Sequence, residues 1–410
     1  MKKTFTPADV LLPRKGIDMN KWAVVSCDQF TSQRSYWEKV KEHVGDGYST
    51  LNLILPEAYL EDDDSSERIE KINKTMREYL SEGIFETYEN CYILVERSTA
   101  YSPTRVGIIG KVDLEAFCFT GQSTSIIRPT EGVVIERIPP RLAIRKNAAL
   151  ELPHILLLID DKDEPVISPI YEKRDSFKKL YDFELNMNGG HLMGYLIDGN
   201  ELDSRLASLF NKESQRRKYG RETNFIFAVG DGNHSLATAK THWENIKQTL
   251  TDEEKETHPA RYCLCEIESI YCEGIIFEPI HRVVFGANED FINYMQNRLK
   301  GERILLMSYE GKEYAANVSV STPEAIRDIQ DAIDEYIASH AGVGVDYIHG
   351  YEHLMNVAEE THSVAIIMPS IIKTDLFKYV LENGVLPRKA FSMGEAEEKR
   401  YYVEARKIVR

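Results

Sequence analysis

The sequence has no apolar run that could cross a bilayer. A spanning helix needs about 20 consecutive apolar residues, and no such stretch occurs in the 410 residues. A secretory leader is missing too: Met1-Lys2-Lys3-Thr4-Phe5-Thr6 starts basic but leads into no apolar segment of about 7–15 residues. Positive charge is scarce. Lys and Arg number 50 against 66 Asp and Glu, a formal net charge of -16, which repels nucleic acid and anionic lipid. The short basic runs Arg14-Lys15 and Arg216-Arg217-Lys218 read as solvated faces. The six cysteines form no Cys-x-x-Cys pair and no histidines fall at zinc-finger spacing, so zinc has no signature, and neither have haem and flavin. No repeat or low-complexity segment is visible. These absences imply a cytoplasmic globular protein with a small-molecule ligand and neither a nucleic-acid nor a membrane partner. They leave the oligomeric state unknown.

What is present is ordinary for a soluble protein: 42% hydrophobic and 28% charged residues. Strand-like runs alternate with helix-like ones. Apolar spacing predicts helices over 35–44, about 61–80, 140–150 and 201–211, and strands over 22–25, 51–55, 92–97, 105–112 and 155–161. After Phe285 the pattern changes to helix 287–299, strands 302–309 and 313–320, helix 323–340, strand 363–368, helix 373–382 and a helix-like tail. The fold class read from this is α/β with an α+β admixture: mixed sheets with flanking helices, plus an additional α+β lobe. Three domains are expected, over 1–125, 126–284 and 285–410.

The most informative segment is Val229-Gly230-Asp231-Gly232-Asn233-His234-Ser235. The apolar run 224–229 before it reads as a buried strand. Leu236, Ala239 and Trp243 after it share one helical face. A strand, a tight polar turn and a helix aim backbone N–H groups and the helix dipole at one spot, a place for phosphate. Gly230 and Gly232 permit the turn and a close approach. Asn233 or Ser235 is expected to cap the helix, and His234 to face the ligand. Asp231 repels phosphate, so it holds Mg²⁺, acts as a base or orients His234. The same residues also suit a turn that binds nothing.

Other residues add to this. Arg128 offers a fork for an acidic group and Glu131 follows it in Ile126-Ile127-Arg128-Pro129-Thr130-Glu131. His281-Arg282 lies between apolar residues, where charge is either used or tied up in a structural ion pair. Arg141 and Arg145 share a helix face. Cys263 and Cys265 point one way in a strand as buried thiols, and Arg388-Lys389 is in reach of an anion.

Taken together, residues 22–33, 127–131, 232–234, the pair at 281–282, Asp346-Tyr347-Ile348-His349-Gly350 and Pro387-Arg388-Lys389 resemble the bacterial family catalogued as domain of unknown function 1015. More distantly, the turn is similar to that of the ParB/sulfiredoxin-like superfamily, which includes free-serine kinases. There an Asp-Gly-His-His-Arg type turn cradles nucleotide phosphate. Asp231, Gly232 and His234 match; Asn233 stands where sulfiredoxin has its reactive Cys, and Ser235 replaces the Arg. The resemblance implies a nucleotide-binding region with ATP or ADP as ligand.

Three functions are compatible with these features. The first is a kinase for a small hydroxylated or acidic metabolite, with Asp231, His234 and Glu131 catalytic. In it Gly230, Gly232, Asn233, Ser235, Arg128, His281 and Arg282 bind nucleotide or phosphate, and Asp231 holds Mg²⁺. The second is a nucleotide-responsive regulatory protein without turnover. The third is a hydrolase of a small acidic metabolite using His234 with Asp231. The kinase scheme requires residues 131, 231 and 282 to converge.

Overall fold

Residues Cys91–Val95, inside the long strand Phe85–Ser98, are buried on both faces of a sheet. Tyr92 and Leu94 point into one apolar layer, Ile93 and Val95 into another. The period of two in a strand divides neighbouring residues in this way. The same split recurs at Ile108 and Ile109, and Leu264 faces away from Cys263 and Cys265. The two cysteines share a layer as expected. The computed structural model in which this is seen describes residues 3–120, 124–152, 154–163, 165–197, 199–387 and 389–410.

The sheet has ten strands. Along its main path they run Ile127–Pro129, Phe227–Asp231, Leu156–Ile159, Tyr262–Ser269, Arg105–Asp113, Phe85–Ser98, His191–Ile197 and Lys178–Glu184. Phe5–Thr6 and Ala8–Pro13 pair off this path. Parallel and antiparallel pairs alternate at the end that carries the glycine turn: Phe227–Val229 is parallel to its outer neighbour and antiparallel to its inner one. The class is mixed α/β, with 13 α-helices among the described residues.

The chain divides into two compact units, Met1–Ile275 with Ala396–Arg410, and Ile276–Glu395. This differs from the expected divisions at 125/126 and 284/285. A cut at 125/126 separates Ile127–Pro129 from the parallel partner it pairs with in the same sheet. A cut at 284/285 runs through the strand Phe277–Phe285. The second unit is an antiparallel six-stranded sheet, ordered Lys312–Val318, Arg303–Tyr309, Val364–Ile367, Phe277–Phe285 and Gly344–His349, with Phe391–Met393 paired to one end of Phe277–Phe285. It carries helices such as Thr322–Ser339, whose buried Ile326, Ile329 and Ile333 form one stripe.

Beyond the 3-10 turn Ala396–Glu398 the tail is extended, not helical. Tyr401–Tyr402 pairs with Val24–Val25, and Arg406–Lys407 with Leu150–Glu151. Its charged residues Glu398, Lys399, Arg400, Glu404 and Arg406 are buried. Arg400 pairs with Glu266 at 3.2 Å and with Glu404 at 2.7 Å. The Arg97 guanidinium donates to the carbonyls of Glu397, Glu398 and Lys399. Burial runs unbroken from Glu398 to Arg406, and the partners here are strands and ions. Segment 51–55 also departs from expectation: Thr50–Leu53 is a 3-10 turn, because Ser49 caps it through the Leu51 N–H.

Removing one member of a buried ion pair leaves its partners uncompensated, at about 3–5 kcal/mol. Arg400→Ala is therefore expected to lower unfolding free energy by about that amount, measured by urea denaturation. A loss within about 0.5 kcal/mol, the scale of surface substitutions, contradicts the pairing.

Candidate functional site: the Gly232 turn and the His154 cluster

Strand Phe227–Asp231 and helix Asn233–Lys247 are joined by a single residue. Gly232 has φ 77° and ψ 27°, the left-handed region. A Cβ there would stand 3.0 Å from both Cα and Cγ1 of Ile155, so conformation and space both require glycine. Gly230 falls at the register shift between Val229 and Asp231, a bulge that re-aims the strand end. The helix starts without a side-chain cap. The cap position is Gly232 itself, so neither Asn233 nor Ser235 caps as expected. Asn233 Oδ1 is buried without a hydrogen-bond partner, and Ser235 turns to His154. An uncapped helix start presents the positive end of the dipole at the turn.

The surroundings of the turn are polar and ordered. Asp231 Oδ1 accepts the Gly232 N–H at 2.7 Å, and its Oδ2 accepts from Lys399 Nζ at 3.2 Å. His234 Nε2 accepts the Val134 N–H at 3.1 Å. Thr130 donates its hydroxyl to the Val229 carbonyl at 2.6 Å. The parallel pairing ends at Pro129↔Val229, and Glu131 and Asp231 each follow two residues beyond it. The fold thus brings Glu131, Asp231 and His234 to one end of the sheet.

A second cluster adjoins the same helical turn. The Ser235 hydroxyl lies 3.3 Å from His154 Nε2, and Asp28 Oδ2 lies 3.2 Å from that nitrogen. The other ring nitrogen, Nδ1, is 2.8 Å from the Tyr402 hydroxyl, which donates to Cys27 Sγ at 3.2 Å. Sequence reasoning missed His154, Asp28, Tyr402 and Lys399. Each stands alone in its own segment, and the fold gathers them. One cue existed: Asp28 and Cys27 lie in the stretch 22–33 that carries the family resemblance.

Three expected ligand residues lie elsewhere. Arg128 reaches back along the sheet: its Nε donates to the Ser125 carbonyl at 3.0 Å, a further N–H donates to Asn224 at 3.3 Å, and it covers the Phe225 ring. Those partners precede the strand, so Arg128 serves the end opposite the turn. His281 and Arg282 belong to the second unit. Arg282 is fully buried, donates to Gln330 at 2.8 Å and to the Ile280 and Lys389 carbonyls, and stacks on Tyr347. His281 Nδ1 accepts the Met368 N–H at 3.1 Å. Burial, then the charges of His349 and Arg282, push the His281 pKa down to about 4. Both side chains are committed to their own sheet, so the scheme joining 282 to 131 and 231 loses its Arg. Arg388 lies outside the described residues. Among the described residues, no group of three or more His, Cys, Asp or Glu side chains is placed to hold a metal.

A family model described as "Protein of unknown function (DUF1015)" matches residues 11–337. The chain belongs to that family. No curated protein matches the sequence. Among solved structures, the DUF1015 chain is similar to a mutant free serine kinase in complex with AMP, at 9% identity over 77% of this chain and 95% of that one, with a TM-score of 0.39. It is also similar to a conserved hypothetical protein from Pyrococcus furiosus, at 10% identity over 75% and 93% of the two chains, with a TM-score of 0.36. No helix among its described residues is long and apolar enough to cross a membrane.

In this DUF1015 member the His154 cluster is an ion pair. Burial acts to lower the His154 pKa, but the Asp28 carboxylate outweighs it and the net shift is upward. Burial acts to raise the Asp28 pKa, and the imidazolium overrides it, so the carboxyl titrates below its ordinary range. Burial, then the adjacent Asp28 charge, push the Cys27 thiol up to about 12, which makes it a poor nucleophile.

Unfolded aspartate and histidine titrate near about 3.9 and about 6.5. The depressed Asp28 value adds stability that is present above about 3.9 and lost as pH falls through the folded value. The raised His154 value adds stability that is fully present below about 6.5 and lost as pH rises through the folded value. Asp28→Asn is thus expected to destabilise most between about pH 4 and 6.5, with the gap to the wild type shrinking at higher pH. Urea denaturation at about pH 5.5 and about pH 9 measures the gap; a larger gap at the higher pH refutes the ion pair.

Proposed function

We propose that the protein binds a nucleotide, ATP or ADP, with its phosphates on the Gly232 turn, and transfers a phosphoryl group to a small hydroxylated or acidic metabolite. The observation that carries this is the uncapped helix start behind a left-handed glycine, with the Lys399 ammonium held beside it by Asp231. Backbone N–H groups and a fixed cation next to a helix N-terminus are what phosphate oxygens require. Phosphoryl transfer asks mainly for positioning and charge neutralisation. Lys399 supplies charge that Arg282 does not. His234 donates to phosphate once a ligand draws it from Val134, and Glu131 acts as the base for the acceptor hydroxyl.

Asp231 has a narrower role than a metal ligand. Its two oxygens already serve the Gly232 amide and Lys399. The residues present therefore do not form a cage for Mg²⁺, and a cation that enters with the nucleotide is held through the phosphates.

Calorimetric titration with ADP and ATP tests the reading. Lys399→Ala is expected to weaken binding about tenfold or more, a change of about 1.4 kcal/mol, and His234→Ala to weaken it as well. Affinity unchanged in both variants removes the site. Binding without labelled product from ATP, across a panel of hydroxylated and acidic metabolites, assigns the protein to ligand sensing instead.

A further inference from the structure

Between helix Ile138–Arg145 and the first turns of helix Asn233–Lys247 lies a cavity of about 140 Å³. Much of its wall is apolar, from Leu53, Leu55, Ile144, Leu150 and Ile155. Ser235, His154, Arg141 and Arg145 also line it. The two arginines are those whose shared helix face the sequence shows.

Their hydrogen bonding is uneven. Arg141 donates to the Arg137 carbonyl at 2.7 Å and pairs with Glu57. Arg145 pairs with Glu151 at 2.5 Å, yet its Nε is buried without a partner. A buried donor is unfavourable until an acceptor reaches it. The charge is uneven as well. Glu151 is shared between Arg145 and Arg406, the latter at 2.7 Å, so two guanidinium groups meet one carboxylate. The neighbouring pairs Arg141–Glu57 and His154–Asp28 each balance. The Arg145–Glu151–Arg406 group therefore carries one positive charge in excess, and the unanswered donor at this wall is Arg145 Nε.

We propose that the cavity is the binding site of a small organic acid: a compact aliphatic body of about six to eight non-hydrogen atoms, with its carboxylate on Arg145 Nε. A hydroxyl on such a molecule falls to Ser235, in the same helical turn as Asn233. As a binding site the cavity does not need the nucleotide. As the acceptor site of phosphoryl transfer it rests on the function proposed above, and it then narrows the substrate to a hydroxy acid.

The test titrates the full chain with 3-methylbutanoate and with 3-methylbutanamide, its neutral counterpart, followed by ligand-observed NMR. The acid is expected to bind and the amide to bind at least about tenfold more weakly, because a hydrogen-bonding site rejects a ligand that leaves its polar group unpaired. Ala148→Leu fills the cavity without removing a charge, and is expected to abolish binding of the acid. Arg145→Lys keeps a cation beside Glu151 but lacks the Nε donor, and is expected to weaken binding about tenfold. Circular dichroism confirms that each variant is folded. Equal binding of acid and amide, no binding of either at millimolar concentration, or acid binding that survives Ala148→Leu overturns the proposal. ADP titrated into the same variants separates the two readings. Retained acid binding without ADP binding counts against the nucleotide alone, and the converse counts against the cavity alone.

Discussion

The buried ionic anchoring of residues 396–410 is the constraint on which the candidate site depends. Arg97 grips the carbonyls of residues 397–399, and Arg400 is fixed between Glu266 and Glu404. Between and beside those anchors, Lys399 is delivered to Asp231 and Tyr402 to His154. Two clusters beside one helical turn thus draw a residue each from the same short segment. Ionic anchors in a dry interior tolerate little displacement, since an unmatched charge there is expensive. Geometry at the turn is accordingly held by charge matching far from it.

The sheet explains why so many charges are buried in this region. Its central strands are covered on both faces by apolar layers, and a sheet of that kind has no wet face on which to place a carboxylate. Glu266 and Glu268 sit in its Tyr262–Ser269 strand at 4% and 0% exposure. Burial, partly offset by Arg105, pushes the Glu268 pKa up to about 8. Gly107 opposite would drive a Cβ to within 2.1 Å of Glu266 Oε1, so glycine is what makes room for the carboxylate. Ions and space were fitted together, and the tail completes the fit.

Much of this was legible in the sequence. Strongly periodic segments, such as Arg34–Val44, Arg105–Asp113 and Thr322–Ser339, follow from their apolar spacing. So does the strand–turn–helix around Gly232, where turn chemistry and apolar runs agree. Less was legible where partners are remote in sequence. The tail takes its form from Val24–Val25 and Leu150–Glu151, and nothing local in 396–410 shows that. Arg282 drew attention as a cation among apolar residues, but its neighbours are Gln330, Tyr347 and backbone carbonyls of its own unit. A buried arginine is visible in a sequence; whether its partner is a ligand or a glutamine is not. His154 and Asp28 lie too far apart in the chain, and too plainly in their segments, for spacing to join them.

The return of the chain to its first unit sets an order of assembly. Residues 396–410 complete that unit, and they leave the ribosome only after Ile276–Glu395 has been made. At about 5–20 residues per second, the first unit waits roughly ten seconds with Val24–Val25 and Leu150–Glu151 unpaired. Glu266 waits without its arginine for the same interval. During vectorial synthesis the first unit is therefore the earlier translated and the later finished, and its closing segment arrives only after the second unit has been made.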